Sequence, residues 1–316
     1  MSQAERNGFN TGLHYSTESP TLWTRIVSRL ARIFLSVVTH IKFLAGIDLE
    51  SITTNCTEQI LNLPGKLPFF PTNTTALSRV KELIFQLHPV VTSHGLIRLG
   101  PNGDGGYLVP NDLVGIEACF SPGVSNVAGF ERDCAEMGMK VFMADGSVEK
   151  PPETHPRFSF IKKYVGSVTE GDFISLPEWV EASLPNSDSD LLLQIDIEGY
   201  EYETLLSASS TLLQRFRIIV GEFHNLDCLF SEPIFALYSR AFAKILQTHT
   251  CVHIHPNTHA RLIKVSDLEI PQLAEFTFLR NDRVTSRTFA TEFPHPLDRD
   301  NSDGPTVCLP RSCYRS

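Results

Sequence analysis

The stretch LLLQIDIEGYEYE, residues 191–203, decides the fold of this chain. Its first five residues are apolar apart from one glutamine, and such a short run is typical of a buried strand in a parallel sheet. Asp196 ends the run, and three further acids follow around Gly199 as the pattern becomes helical. A strand that passes directly into a helix is the repeating unit of α/β folds. We therefore expect an α/β domain.

The same alternation continues on both sides of this stretch. The sequence predicts strands at 116–120, 140–144, 158–165, 191–196, 217–223, 250–255 and 275–279. Helical patterns occur between them at 127–137, 176–184, 202–214 and 232–248. This order predicts a largely parallel sheet with helices on both faces, in which ligands bind at the carboxyl ends of the strands.

The composition limits the class of protein. The chain has 316 residues, of which 42% are hydrophobic and 20% charged, and these values are typical of a globular protein. With 27 Lys and Arg against 36 Asp and Glu the net charge is −9, so a nucleic-acid partner is not expected. The seven cysteines include no Cys-x-x-Cys pair, which favours a reducing compartment and a cytoplasmic location.

Two segments flank the predicted domain, which we place at residues 76–281. Residues 1–75 are expected to be a helical appendage followed by a proline-containing linker. Within them, residues 22–47 resemble a basic amphipathic helix that could lie on an acidic membrane surface or dock on the domain. Residues 282–316 have little periodic apolar pattern, so we expect a poorly ordered tail or a peripheral wrap.

The turns after the first two predicted strands carry candidate ligand-binding residues. The first turn, Ser121, Pro122, Gly123 and Val124, would bring backbone amides close to a ligand at a helix start. It lacks the Gly-x-Gly-x-x-Gly spacing of dinucleotide sites. The second turn begins with Asp145 and Gly146, where the acid could accept hydrogen bonds from the two hydroxyls of a ribose. An ordinary Asp-Gly turn is the alternative.

The acids after residue 195 form the most informative group. Carboxylates so close together repel one another unless they bind cations or hydrogen-bond donors, or take part in proton transfer. A solvated first helical turn could explain Glu201 and Glu203 but explains Asp196 poorly. For Glu198 and Glu201 a functional role and a solvated position are both open. Asp196 is therefore the main candidate for a functional residue.

Further acids and histidines follow the later strands. Glu222 and His224 end the fifth predicted strand, at the same edge of the sheet as Asp196. His253 and His255 point to the same face of the next strand, because side chains alternate along a strand. The two histidines could bind a metal ion or hold a proton, or they could be packed, hydrogen-bonded side chains.

Taken in order, these motifs resemble the FkbM-type methyltransferases, particularly a methyltransferase-like branch of that family. The resemblance covers about residues 96–280 and rests on Ser121-Pro122-Gly123, Asp145, the acidic block 196–203, Glu222-Phe223-His224 and the block 253–257. The blocks DGGYLV at 104–109 and EFTF at 275–278 are similar to that branch as well.

The resemblance implies a class I methyltransferase fold, a Rossmann-like seven-stranded sheet that binds S-adenosylmethionine. It places the loop at Gly123 under the methionine part of the cofactor, Asp145 on the ribose, and Asp196 beside the sulfonium and the acceptor. The loop at 120–125 departs from most class I methyltransferases, since it lacks their acid and their second glycine.

The expected reaction is O-methylation of a hydroxylated small molecule or sugar. In this hypothesis the acceptor hydroxyl is surrounded by Asp196, Glu198, Glu222 and one of His224, His253 or His255. A histidine would be the better base near neutral pH, while the acids orient it or share a divalent metal ion. A methyltransferase fold that only binds ligands is one alternative. Another is a metal-dependent glycosyl- or phosphoryl-transferring enzyme that uses Asp188-Ser189-Asp190 and the histidines.

Overall fold

The computed structural model of the chain describes residues 74–259 and 261–315. The predicted amphipathic helix at 22–47 and almost all of the appendage and linker lie outside the described residues.

The helices are α1 (Leu77–Gln86), α2 (Gly129–Glu136), α3 (Leu176–Ser183), α4 (Glu201–Ser207), α5 (Ser210–Arg215) and α6 (Glu232–Leu246). The strands are β1 (Leu96–Leu99), β2 (Tyr107–Pro110), β3 (Ala118–Pro122), β4 (Lys140–Ala144), β5 (Phe158–Ile161), β6 (Tyr164–Gly166), β7 (Phe173–Ser175), β8 (Leu191–Ile195), β9 (Phe216–Phe223), β10 (His249–Pro256), β11 (Leu262–Val265), β12 (Leu268–Pro271) and β13 (Ala274–Arg280).

One seven-stranded sheet organises the domain, in the order β10-β13-β9-β8-β3-β4-β5. β13 runs antiparallel to both of its neighbours, and the other pairs are parallel. The predicted mostly parallel, seven-stranded sheet of a class I methyltransferase fold is therefore confirmed. The carboxyl ends of β3, β4, β8, β9 and β10 meet at one edge of the sheet, together with the amino end of β13.

Apolar side chains cover both faces of this sheet. Leu191, Leu193 and Ile195 of β8 belong to one core cluster, while Leu192 belongs to the cluster on the other face. All four are completely buried. Burying a side chain of this kind stabilises the fold by about 1.5–3 kcal/mol. The apolar run that opens residues 191–203 is thus explained by a central strand that is covered on both faces.

Two predicted elements are divided in the structure. The helix expected at 202–214 breaks into α4 and α5, because Ala208 has an extended backbone and the Ser209 hydroxyl caps the new helix by accepting a hydrogen bond from the Leu212 amide at 3.0 Å. The strand expected at 158–165 divides into β5, in the main sheet, and β6, which pairs with β7 in a separate small sheet. The hairpin of β1 and β2 was not predicted.

The segment after β13 is not the poorly ordered tail that the sequence suggests. Residues 282–315 wrap along the domain, and Leu309, Cys313 and Tyr314 are buried in its core. Polar contacts hold the rest: Asp298 accepts a hydrogen bond from His253 at 2.8 Å, and the Asn301 amide donates one to Glu275 at 2.8 Å. The segment has the form of a peripheral wrap, which was the alternative expectation. The domain boundaries at 75 and 281 stay predictions.

Within the described residues no helix is long and apolar enough to cross a membrane.

Candidate functional site

The loop after β3 lies against the end of β8 at a position that only glycine can occupy. Gly123 has a φ of +91°, and a Cβ atom there would lie 1.6 Å from the carbonyl oxygen of Asp196. Its amide donates a hydrogen bond to the Ala144 carbonyl at 2.9 Å, and the Asp196 amide donates one to the Pro122 carbonyl at 3.2 Å. These contacts fix the turn between the ends of β4 and β8, so it presents backbone rather than side chain to the site.

Asp145 follows β4 and is buried beside this turn. One of its oxygens accepts hydrogen bonds from the Ser147 amide and hydroxyl at 2.7 and 2.6 Å, and the other accepts one from the Ser125 amide at 2.8 Å. A carboxylate offers about four acceptor positions. These three contacts therefore orient Asp145 and leave about one position for a ligand hydroxyl, where the sequence suggested two.

A cavity of about 500 Å³ connects Asp145 with the acids further along the sheet edge. Its wall beside Asp145 includes the rings of Tyr164, Phe173 and Tyr200, whose neighbouring centroids are 5.4 and 5.7 Å apart. The ring of Tyr164 packs over Gly146, where a Cβ atom would come within 2.5 Å of it. Sequence reasoning did not select these aromatic residues. Tyr164 and Phe173 begin β6 and β7, which were not predicted as separate strands, and Tyr200 lies in the block 191–203, where only the acids were considered as candidates.

The other part of the cavity contains a histidine among carboxylates. His224 donates from Nδ1 to Oε1 of Glu201 at 3.0 Å, and that oxygen also accepts hydrogen bonds from the Ile197 and Gly199 amides at 3.1 and 3.0 Å. The second ring nitrogen, Nε2, lies 3.4 Å from Glu222, 3.5 Å from Glu198 and 4.0 Å from Asp196. Completely buried Glu201 therefore sets the orientation of the ring and turns Nε2 towards the cavity.

Residues 142–250, from β4 to the start of β10, match the family model described as "Methyltransferase FkbM domain". This segment of the chain resembles an FkbM methyltransferase domain, as its motifs predict. The matched residues include Asp145, Asp196, Glu198, Glu222 and His224, so most of the cavity wall belongs to the methyltransferase domain. The match supports the predicted activity of an S-adenosylmethionine-dependent methyltransferase. No curated protein matches the chain.

Solved methyltransferase structures resemble parts of the chain. The N-methyltransferase NodS from Bradyrhizobium japonicum is 10% identical, with a TM-score of 0.30 over 52% of this chain and 87% of its own. The 1,6-didemethyltoxoflavin-N1-methyltransferase from Burkholderia thailandensis, whose structure holds 1,6-didemethyltoxoflavin and S-adenosylhomocysteine, is 15% identical, with a TM-score of 0.27 over 52% of this chain and 72% of its own. The fold of the methyltransferase domain is established by its strand order rather than by these similarities.

The pKa values of three groups that line this cavity are raised. Burial alone would lower the pKa of His224, but the Glu201 hydrogen bond and the charges of Glu201 and Glu222 outweigh it and raise that pKa to about 9. Burial and the charge of Glu275 raise the pKa of Glu222 to about 7. Burial and the charge of Glu222 raise the pKa of Asp196 well above its usual range. At neutral pH His224 is therefore an imidazolium, which does not fit the expectation that histidine is the base.

Tyr107 is a site residue that sequence reasoning did not select. It lies in β2 and is 3% exposed, and its hydroxyl donates to Asp196 at 3.4 Å and accepts from the Gln194 amide at 3.4 Å. The signal available in the sequence was its position in the block 104–109, which the family resemblance included without giving it a role.

His253 and His255 are not brought together with Asp196. Both lie on the face of β10 that the C-terminal wrap covers: His253 contacts Asp298, and Nε2 of His255 lies 3.0 Å from the Arg299 carbonyl oxygen. Neither residue lines the cavity that connects Asp145 with Asp196. In this structure they are packed, hydrogen-bonded histidines, and their proposed catalytic role has no geometric support.

Three side chains could offer ligands to a metal ion. One atom each of Asp196, Glu201 and His224 lies within 4.8 Å of the others. However, the Glu201 oxygen that faces His224 already accepts three hydrogen bonds, and His224 would have to lose its proton before it could bind a cation. The hydrogen bonds and the charge of this group therefore do not favour a bound metal ion.

Proposed function

We propose that this chain transfers the methyl group of S-adenosylmethionine to a hydroxyl oxygen of a small molecule or sugar. The observation that carries the proposal is the single cavity that joins Asp145 to the group of Asp196, Glu222 and His224. Such a cavity holds a donor and an acceptor side by side, and positioning two reactants is the main contribution of an enzyme to a displacement reaction.

The residues present fit the cofactor. Asp145 has an acceptor position left for a ribose hydroxyl, and the rings of Tyr164 and Phe173 offer an apolar wall for an adenine beside it. The backbone at Gly123 allows a close approach of the methionine part. When bound, S-adenosylmethionine supplies an electrophilic methyl group on a sulfonium cation.

The charge of the wall agrees with a cationic donor and an uncharged acceptor. Among the described residues that line the cavity there is no lysine or arginine, whereas Asp104, Asp145, Asp196, Glu198 and Glu222 all line it. Like charges at these distances repel. An acceptor that carries phosphate or carboxylate groups would therefore bind poorly, and a hydroxylated neutral compound fits better.

Glu222 is the residue best suited to remove the acceptor proton. A general base works best when its pKa is close to the working pH, and the pKa of Glu222 is raised to about 7. The Asn257 amide donates a hydrogen bond to one oxygen of Glu222, and Nε2 of His224 lies 3.4 Å from the other. These two contacts orient the carboxylate, and the imidazolium stabilises its charged form before the proton arrives.

The glycosyl- or phosphoryl-transfer alternative receives no support from the position of its residues. Asp190 precedes β8 and accepts hydrogen bonds from Arg217 at 2.8 Å and Arg280 at 3.1 Å. It therefore lies at the opposite edge of the sheet from His224 and the cavity.

Calorimetry with S-adenosylhomocysteine tests the proposal. We expect micromolar binding that Asp145→Ala abolishes, because the ribose loses its acceptor. Asp188→Ala, an exposed acid at the opposite edge, is the matched control and should bind as the wild type does. Absence of binding by the wild-type chain would contradict the methyltransferase proposal.

The acceptor is then sought by mass spectrometry of extracts incubated with the protein and deuterium-labelled S-adenosylmethionine. The proposal predicts a labelled methyl group on oxygen. Binding without any labelled product would favour a fold that only binds ligands, and a label on nitrogen would overturn the choice of oxygen.

A further inference from the structure

The turn that follows β10 forms the wall of the cavity beside Glu222. Asn257 and His259 line the cavity, and the side-chain amide of Asn257 donates a hydrogen bond to Glu222. The oxygen of the same side chain, Oδ1, accepts a hydrogen bond from the His259 backbone amide at 2.7 Å. An asparagine that bonds to the backbone two residues further on closes a tight turn. One side chain therefore fixes both the shape of this turn and the contact with Glu222.

Thr258 is the middle residue of the turn, and the C-terminal wrap holds its hydroxyl. Oγ1 of Thr258 accepts a hydrogen bond from the Ser302 backbone amide at 3.0 Å and lies 3.1 Å from the Ser302 hydroxyl oxygen. Thr258 is buried, and a buried hydroxyl that loses its partners is costly. The wrap is thus anchored to the turn at the residue next to Asn257.

The preceding residue of the wrap reaches Glu222 from another side. The Asn301 amide donates a hydrogen bond to Glu275 at 2.8 Å, and Glu275 lies directly opposite Glu222 in the register of β13 and β9. Two consecutive residues of the wrap therefore contact the two groups that flank Glu222. Both lie outside residues 142–250, which match the family model.

We propose that Ser302 is a positioning residue for methyl transfer: through Thr258 it holds the turn from which Asn257 orients Glu222. This inference rests on the proposed function, because it takes Glu222 as the group that removes the acceptor proton. Misplacement of a reacting group by about 1 Å can lower a rate by about 100-fold, even when the group itself is intact.

The cofactor is not expected to depend on this contact. Asp145, the proposed ribose acceptor, is oriented by Ser125 and Ser147 and makes no hydrogen bond to the wrap among the described residues. Ser302 therefore belongs to the acceptor side of the proposed reaction.

Thr258→Val and Thr258→Ser form a matched pair of variants. Valine keeps the shape of the side chain and removes the hydroxyl, whereas serine keeps the hydroxyl. In NMR spectra of protein labelled with ¹⁵N-asparagine, the side-chain amide of Asn257 reports its contact with Glu222, and the loss of the signal in Asn257→Ala assigns it.

The three variants should differ in a fixed order. We expect Thr258→Val to move the Asn257 signal towards the position of a solvent-exposed amide. Ser302→Ala should move it less, because the Ser302 backbone amide still reaches Thr258. Thr258→Ser should leave it in place, since the hydroxyl is retained.

The rate and the cofactor affinity separate positioning from a general loss of structure. Once an acceptor is known, Thr258→Val should lower kcat by about 10- to 100-fold, and Thr258→Ser should restore it to within about twofold of the wild type. The affinity of Thr258→Val for S-adenosylhomocysteine should stay within about twofold of the wild type. Ser286→Ala is the control, because Ser286 is an exposed serine of the wrap whose hydroxyl contacts Thr288, and it should change neither quantity.

An Asn257 signal that stays in place in both Thr258→Val and Ser302→Ala would overturn the inference. Equal effects of valine and serine at position 258 would also overturn it, because the size of the side chain and not its hydroxyl would then matter. If Thr258→Val does not fold, the comparison of Ser302→Ala with Ser286→Ala decides. Absence of S-adenosylhomocysteine binding by the wild-type chain contradicts the proposed function, whereas an unmoved Asn257 signal contradicts this inference alone.

Discussion

Buried or half-buried acids lie at both ends of the strands of the main sheet. The residues that surround these acids differ between the two ends, which we call the two edges of the sheet. At the edge where β2 ends and β8 begins, Asp112 and Asp190 are paired with Arg217, Arg280 and Arg283. Burial alone would raise the pKa of each acid, but the arginines outweigh it and lower both values. At the edge where β8 and β9 end, Asp196 and Glu222 face other acids, and burial raises both of their pKa values.

The difference separates a structural ion-pair network from the candidate functional site. Acids with arginine partners are satisfied within the fold, and their removal affects stability. Acids that face each other in a cavity destabilise the folded protein unless a ligand supplies the missing charge, and groups with such shifted pKa values are concentrated at functional sites.

The largest effect is expected for Glu222→Gln in the cavity. The amide keeps the shape of the side chain but cannot accept the acceptor proton, so the rate of methyl transfer should fall by about 10²- to 10⁴-fold. The free energy of unfolding should stay the same or rise, because one acid of a repelling group is lost. The rate is measured with labelled S-adenosylmethionine once an acceptor is known.

Glu181→Gln, an exposed acid on α3, is the control for this variant. A Glu222→Gln protein with full activity would show that Glu222 is not the base. Glu222 would then not differ in function from the acids at the opposite edge.

The opposite edge is tested by Arg217→Ala. Its side chain is 9% exposed and donates hydrogen bonds to Asp190 at 2.8 Å and to the Asp112 and Val114 carbonyls at 3.0 and 2.8 Å. Removing one partner of a buried ion pair costs about 3–5 kcal/mol, which urea unfolding would measure. Affinity for S-adenosylhomocysteine should stay within about twofold of the wild type while the protein is folded.

Arg240→Ala, an exposed arginine on α6, is the control and should have little effect on stability. Loss of cofactor affinity in folded Arg217→Ala protein would contradict the assignment of this edge to structure alone.

The smallest effect is a pH dependence of stability that has opposite signs at the two edges. Burial raises the pKa of Glu275, which pairs with Glu222 across β13 and β9, from 4.5 to about 7, against the opposing charge of His255. The folded state therefore holds this proton more tightly than the unfolded state, and the free energy of unfolding falls as pH rises from about 4.5 to about 7. Asp190 has a lowered pKa, so its contribution is present above its usual value of 3.8 and is lost as pH falls below it.

Urea unfolding between about pH 3 and pH 8 distinguishes these contributions. Glu275→Gln should increase the free energy of unfolding at pH 8 by on the order of 1–3 kcal/mol and have little effect at pH 4.5. Asp190→Asn should instead destabilise the protein at pH 8. A Glu275→Gln variant that is less stable than the wild type at pH 8 would show that this acid is satisfied in the folded state.

The sheet could be predicted because each of its strands can be recognised from a short stretch of sequence. An apolar run followed at once by an acid marks a buried strand and its carboxyl end, and parallel strands bring those ends together. The positions of Gly123, Asp145, Asp196 and Glu222 at one edge follow from that rule alone. The break of the helix at Ala208 did not follow, because a serine inside a helical pattern is also compatible with an uninterrupted helix.

Residues that reach the site from elsewhere could not be predicted in the same way. Tyr107 comes from a hairpin outside the main sheet, so the rule of strand ends does not place it beside Asp196. His253 and His255 do share one face of their strand, as alternation predicts. The sequence could not tell that this face is covered by the C-terminal wrap, because that contact joins His253 to a residue 45 positions later.

The wrap also affects the order in which the protein assembles during translation. Asn301 donates the hydrogen bond that satisfies one oxygen of Glu275, yet it is synthesised after every strand of the main sheet. When β13 has just left the ribosome, the sheet can therefore form before Asn301, the donor for Glu275, has been synthesised. The contacts of the wrap with β10, such as the hydrogen bond between His253 and Asp298, join residues distant in sequence, so we expect them to form after the sheet.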